Sequence, residues 1–265
     1  MPTRRRVRDD ESGALDALPG PFDVPAHAAA TTNCRNAARL LRHPVLRTWH
    51  SGQHRGTLAR QPIERIMQYD LLSRLKTETA ECHARLENAL DLMRPEWPRE
   101  DYVALLESFY GYIAPWENSA AAAMPAPLRE FFEGRRKAAL LAADLTFLTG
   151  DNARASAVTK VERLPAMDRI GRVFGCMYVM EGSTLGGRFI APHVATLFGL
   201  QSGRGNAYFE GYGLRTGSMW NAFRETARAN VPPEQADVAV DAAIATFEGL
   251  HDWLGKLRTR SGATV

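Results

Sequence analysis

The chain has 265 residues, 45% of them hydrophobic and 24% charged, and carries a net charge of +3 at neutral pH. Such a chain builds one large core, or one domain with a tail, and no stretch approaches the roughly 18 apolar residues of a membrane span. Three cysteines (Cys34, Cys82, Cys176) form neither a CxxC pair nor an even-numbered framework, which favours a reducing cytoplasm and argues against a cysteine-built zinc site.

Residues 1–66 open on Thr3-Arg4-Arg5-Arg6-Val7-Arg8 and continue through Pro, Gly, Ala and Thr without a sustained apolar face. They read as a disordered or weakly ordered N-terminal extension. No apolar run follows the basic start, so a secretory signal is not expected. The mild charge gives no case for a nucleic-acid partner. The main domain is expected over 67–258, with 259–265 a flexible tail.

From Asp70 the pattern turns helical. Leu72, Leu75, Thr79, Cys82, Leu86, Leu90 and Met93 step by threes and fours, and Pro95 and Pro98 close the segment. His83 lies beside that stripe, with Glu87 one turn later and Lys76 two turns earlier. Such a histidine is either a packed core residue or a ligand. A second helix starts after Pro98, with Arg99, Glu100 and Asp101 in its first turn, where acids suit the helix dipole. Pro115 kinks or ends it. A third helix is expected over Leu128–Leu148, stopping at Gly150, with Arg135, Arg136 and Lys137 as a solvated basic face. Asp151–Arg163 reads as a polar connection.

The central stretch runs from Pro165 to about Gly199. Phe174, Met177, Tyr178, Leu185 and Phe189 recur at helical spacing, yet Gly175, Gly182, Gly186 and Gly187 interrupt them. Each glycine costs a helix roughly 0.5–1 kcal/mol relative to alanine. Four together imply either tight helix packing or a backbone that bends, around 182–187, against a flat ligand. Gln201–Gly217 is glycine-rich and loop-like, and helices follow at Met219–Ala229 and Pro232–Leu257. With no alternating pattern anywhere, the domain is expected to be all-α.

Hydrolase chemistry finds no support, since Gly-x-Ser-x-Gly is absent. Glu248 and His251 match one Glu-x-x-His pair of a di-iron bundle, but no second copy exists, and His193 reads as a packing residue. One inward histidine opposite one glycine-rich, aromatic-flanked helix would suit a flat apolar ligand with an axial nitrogen donor: haem.

Lys76–Glu87 (K-T-E-T-A-E-C-H-A-R-L-E) resembles the proximal helix of haem oxygenases, and Tyr102–Trp116 and Arg135–Gly150 follow in that family's order. Tyr178–Arg188, containing E-G-S-T-L-G-G, is similar to the distal helix of the bacteriophytochrome-associated bacterial branch. The resemblance spans roughly Leu71–Leu257 and implies one helical domain with haem between a proximal and a kinked distal helix. It implies His83 as the iron ligand, Glu87 as acceptor for the other ring N–H, and Lys76 beside a haem propionate. It places Gly182 and Gly186 against the distal face, with Arg224, on a looser match, as a second propionate contact. Ser183 stands where many members carry an Asp that orders distal water. The implied activity is oxidative cleavage of haem, at once substrate and cofactor, to biliverdin, carbon monoxide and ferrous iron, using O2. The electrons would come from an external reductase, since no flavin or nicotinamide motif is present; an acidic ferredoxin or flavodoxin would suit, with a bacteriophytochrome as recipient of the product. A haem carrier or sensor with the same fold is the alternative reading.

Overall fold

The computed structural model describes residues 70–261, so the extension expected over 1–66 lies outside the described residues. The long elements are α1 (Leu71–Leu90), α2 (Arg99–Ala123), α4 (Ala138–Thr149), α6 (Ile170–Phe198), α8 (Thr216–Asn230) and α9 (Ala236–Ser261). The short ones are α3 (Arg129–Glu133), α5 (Arg154–Ala157) and α7 (Ala207–Glu210). No strand occurs among the described residues, so the domain is all-α. No described helix is long and apolar enough to cross a membrane.

Helix α1 forms as its stripe predicts. Leu72, Leu75, Thr79, Cys82 and Leu86 are buried, and Asp91 ends the helix in the left-handed region (φ 44°), its N–H returning to the Glu87 carbonyl. Helix α2 differs from expectation by running through Pro115 to Ala123. An internal proline costs about 3 kcal/mol, and burial of the apolar Trp116 and Ala120 beyond it works against that cost.

The third predicted helix is broken into α3 and α4, because a remote carboxylate caps the second piece. Glu117 of α2 accepts the backbone N–H of Lys137 and, at 3.0 Å, that of Ala138, satisfying donors that a helix start leaves open. The basic triplet is also not a solvated face. Arg135 and Lys137 are 5% and 7% exposed, drawn inward by partners 46 and 44 residues away in sequence. In the glycine-rich segment, the buried Asp144 carboxylate accepts the N–H groups of Gly205, Ala207 and Tyr208 at 2.9–3.0 Å and so builds the start of α7.

Helix α6 is buried on every side from Val173 to Glu181 and is helical without interruption through its glycines and Pro192. Gly175 and Gly187 let other backbone close in furthest. A Cβ on Gly175 would stand 2.0 Å from the Ala239 carbonyl oxygen of α9, and one on Gly187 would stand 2.1 Å from that of Phe209 in α7.

Candidate functional site

Three helices set the site, and their directions follow from their contacts. Arg74 of α1 pairs with Asp237 of α9 at 2.6 Å, and His83 meets Phe247 with ring centroids 5.6 Å apart. Gly171 of α6 takes the Gln235 side chain at 2.9 Å, and Gly175 abuts Ala239. Both α1 and α6 therefore run parallel to α9. Counted along α9, His83 is level with Phe247, and Gly182, two turns beyond Gly175, is level with Thr246. Helices α1 and α6 approach one turn earlier, where the Tyr178 hydroxyl lies beside Thr79. Burial pushes that phenol up to about 12, the Thr79 contact acting the other way.

Above this contact the facing surfaces differ from the packed surfaces around them. Apart from its chain neighbours and the adjoining helix backbone, no atom lies within 4 Å of a Cβ built on Gly182, and on Gly186 only the tip of Ile190 does, at 3.8 Å. These two glycines share one face one turn apart, whereas Gly171, Gly175 and Gly187 are filled by neighbouring elements. On α1, His83 is half-buried, with Nε2 3.3 Å from a Glu87 carboxylate oxygen. Nδ1 makes no protein hydrogen bond among the described residues, which leaves one imidazole nitrogen to a ligand while the carboxylate engages the other.

Helix α8 runs antiparallel to α6, since Trp220 packs on Tyr178 (5.8 Å) and Phe223 on Phe174 (6.0 Å). Arg224 therefore sits near the height of Phe174, and Lys76 lies two turns before His83, about 10 Å along α1. Both cations are thus below the His83–Gly182 level, toward the same end; Lys76 is exposed and Arg224 half-buried. Ser183 is exposed, and its hydroxyl donates to the Met180 carbonyl of its own helix at 2.9 Å. The Tyr208 hydroxyl also contacts Ser183, a neighbour that the sequence pattern does not disclose.

The sequence reading also misses the polar anchor behind this face. Glu181, 2% exposed, accepts from Lys137 Nζ at 2.8 Å, from the Tyr212 hydroxyl at 2.8 Å and from Arg135. The partners come from separate stretches with no mutual spacing to mark them; a glutamate inside an apolar helix was the available signal. Burial foremost, and then the Glu181 charge, hold the Tyr212 phenol well above its ordinary value.

The other two described histidines are elsewhere. His193 Nε2 bonds the Arg94 carbonyl at 2.9 Å, and His251 lies beside Asp252. No group of three or more His, Cys, Asp or Glu side chains that could hold a metal ion occurs among the described residues. A cavity of about 270 Å³ near Leu86, Trp97 and Leu254 includes neither His83 nor the two open glycines.

The haem oxygenase family's sequence pattern matches residues 69–256, from the start of α1 into α9. The chain belongs to the haem oxygenase family. Among solved structures it is similar to the haem oxygenase from Leptospira interrogans, with 16% identity and a TM-score of 0.53, covering 71% of this chain and 99% of that one. At that identity the likeness speaks to the fold, which is the haem oxygenase fold. Comparison with curated proteins gives no significant match.

Proposed function

We propose that this haem oxygenase family member degrades haem, with the main domain over 67–258 as the catalytic unit. One observation carries the reading: an imidazole with an uncommitted nitrogen is level with the unfilled Gly182–Gly186 face of a parallel helix. The residues present fit a haem. A flat ring needs a face without side chains, an axial nitrogen on the other wall, and cations where its carboxylates emerge. Gly182 and Gly186, His83, and Lys76 with Arg224 would meet these needs in turn.

Within this reading His83 is the iron ligand. Glu87 holds the proton on one ring nitrogen, keeping the lone pair on the other and raising its basicity. Gly182 and Gly186 bring backbone close to the distal side and leave room for a small gas. Ser183 lacks the charge of the Asp found in many relatives; its hydroxyl, committed to the Met180 carbonyl, offers lone pairs to a neighbouring water. Lys76 and Arg224 orient the ring by charge-assisted contacts to propionates. Bound haem supplies both the iron that takes up O2 and the porphyrin that is cleaved, giving biliverdin, carbon monoxide and ferrous iron.

Electrons would come from a ferredoxin, a flavodoxin or another reductase in the cytoplasm. The E-G-S-T-L-G-G distal segment supports placement in the bacteriophytochrome-associated branch, with biliverdin as chromophore for a bacteriophytochrome partner. The test is His83→Ala. Haem titration of the variant should give a weakened, altered Soret complex, and added imidazole should restore the wild-type spectrum. A wild-type spectrum and turnover in the variant would make His83 a packing residue only.

A further inference from the structure

One face of α6 is covered at both ends and open between them. Gly175, Tyr178, Gly182, Gly186, Phe189 and His193 follow one another in steps of three and four residues, which places them on a single stripe. At the start of the stripe Gly175 abuts Ala239 of α9, and Tyr178 lies beside Thr79 of α1. At its end His193 bonds the carbonyl of Arg94, just past α1, at 2.9 Å. Between these, no other described element comes within 4 Å of a Cβ built on Gly182 or Gly186. Phe189 completes the open interval. It is 55% exposed and outside the packed core, whereas Phe174, Met177 and Tyr178 of the same helix are at most 7% exposed.

From Gly182 to Phe189 the open interval is about 10 Å long. Helical side chains lean toward the N-terminus, so the Phe189 ring covers the turn that holds Gly186. A planar ligand resting on the two glycines therefore has Phe189 at one edge, while Lys76 and Arg224 lie toward the other. Leu90, seven residues beyond His83, gives α1 a partly buried apolar side chain at the same height as Phe189.

We propose that Phe189 recognises the apolar edge of the macrocycle, the edge opposite its two propionates, which in protohaem carries the vinyl groups. The proposal rests on the haem reading above and goes beyond it by naming the part of the substrate that this residue selects. With the propionates toward Lys76 and Arg224, the vinyl edge reaches the height of Phe189. Contact there removes water from two apolar surfaces at once. Cations at one edge and apolar side chains at the other seat the macrocycle one way round.

The experiment compares ferric protohaem with deuterohaem, which has hydrogen in place of both vinyl groups. Dissociation constants of the full chain and of Phe189→Ala are measured for each by competition with apomyoglobin. The variant should bind protohaem roughly four- to tenfold more weakly, as expected for a half-exposed phenyl ring that loses its burial, and its loss with deuterohaem should be smaller by at least about twofold. Phe189 supports no core packing, so the variant apoprotein should melt no lower than the unmodified one. A protohaem loss that exceeds the deuterohaem loss by less than twofold would overturn the proposal while haem binding stands. So would a haem-free dimer that Phe189→Ala dissolves, since the ring would then be covered by a second copy of the chain. Failure of the unmodified protein to form a His83-dependent haem complex would instead remove the underlying reading, and the proposal with it.

Discussion

Alanine at Gly175, Gly182, Gly186 and Gly187 of α6 should split these four positions into two pairs of opposite sign. In a helix interior, Gly→Ala gains roughly 0.5–1 kcal/mol where nothing obstructs the methyl, largely by restricting the unfolded chain. Gly182 and Gly186 meet that condition, with no contact inside 3.8 Å. For a domain of this size 1 kcal/mol moves Tm by about 2–4 °C, so each variant should melt about 1–4 °C higher as apoprotein. Gly175 and Gly187 are the reverse, since the methyl would meet a carbonyl oxygen of another segment at 2.0 and 2.1 Å. Relieving that overlap means moving backbone, and overpacking of this kind costs about 1–3 kcal/mol or more, a Tm fall of about 2–12 °C. Thermal melts of the apoproteins by circular dichroism give the signs, and haem titration gives the second half of the expectation. Gly182→Ala and Gly186→Ala should bind haem more weakly or with an altered spectrum despite their added stability. Apoprotein destabilisation by Gly182→Ala together with unaltered haem binding would refute the view that its face is kept open for a ligand.

Other expectations concern the proximal wall, the distal serine and alkaline pH. Glu87→Ala should reduce single-turnover biliverdin formation by about 10–100-fold, as losses of a ligand's hydrogen-bond partner typically do. Ser183→Ala, whose hydroxyl is spent on its own helix, removes a bond worth about 0.5–1.5 kcal/mol and should be milder; the opposite ranking would make the hydroxyl the water organiser. The phenols of Tyr102, Tyr112, Tyr178, Tyr208 and Tyr212 are all raised by burial, Tyr178 to about 12. The unfolded chain therefore loses these protons first, and stability should fall as pH rises from about 10 toward 12. Unfolding monitored with tyrosinate absorbance checks this, and ionisation of these five phenols near pH 10 without unfolding would contradict it.

Much of the fold was legible because its helices announce themselves locally. The stripe from Leu72 to Leu86 and the acids opening α2 place those elements from sequence alone. What escaped depends on partners distant in the chain. The break between α3 and α4 is made by Glu117, about twenty residues upstream, and Arg135 and Lys137 look like surface charge until Glu181 is placed opposite them. The glycines show the limit within one helix. Gly175 and Gly187 serve packing and Gly182 and Gly186 face open space, a division set by Ala239 and Phe209 rather than by anything adjacent. His83, Glu87 and Lys76 could be grouped by helical spacing, but their alignment with Gly182 needs the shared parallel packing on α9.

The most direct test of haem degradation is one turnover experiment. Haem is bound to the protein, a reductant such as ascorbate is added in air, and the visible spectrum is followed. The expected result is loss of the Soret band with growth of biliverdin absorption, release of carbon monoxide, and dependence on His83. A Soret complex that forms, is reduced and persists in oxygen without biliverdin would contradict degradation and leave a haem carrier or sensor on the same fold.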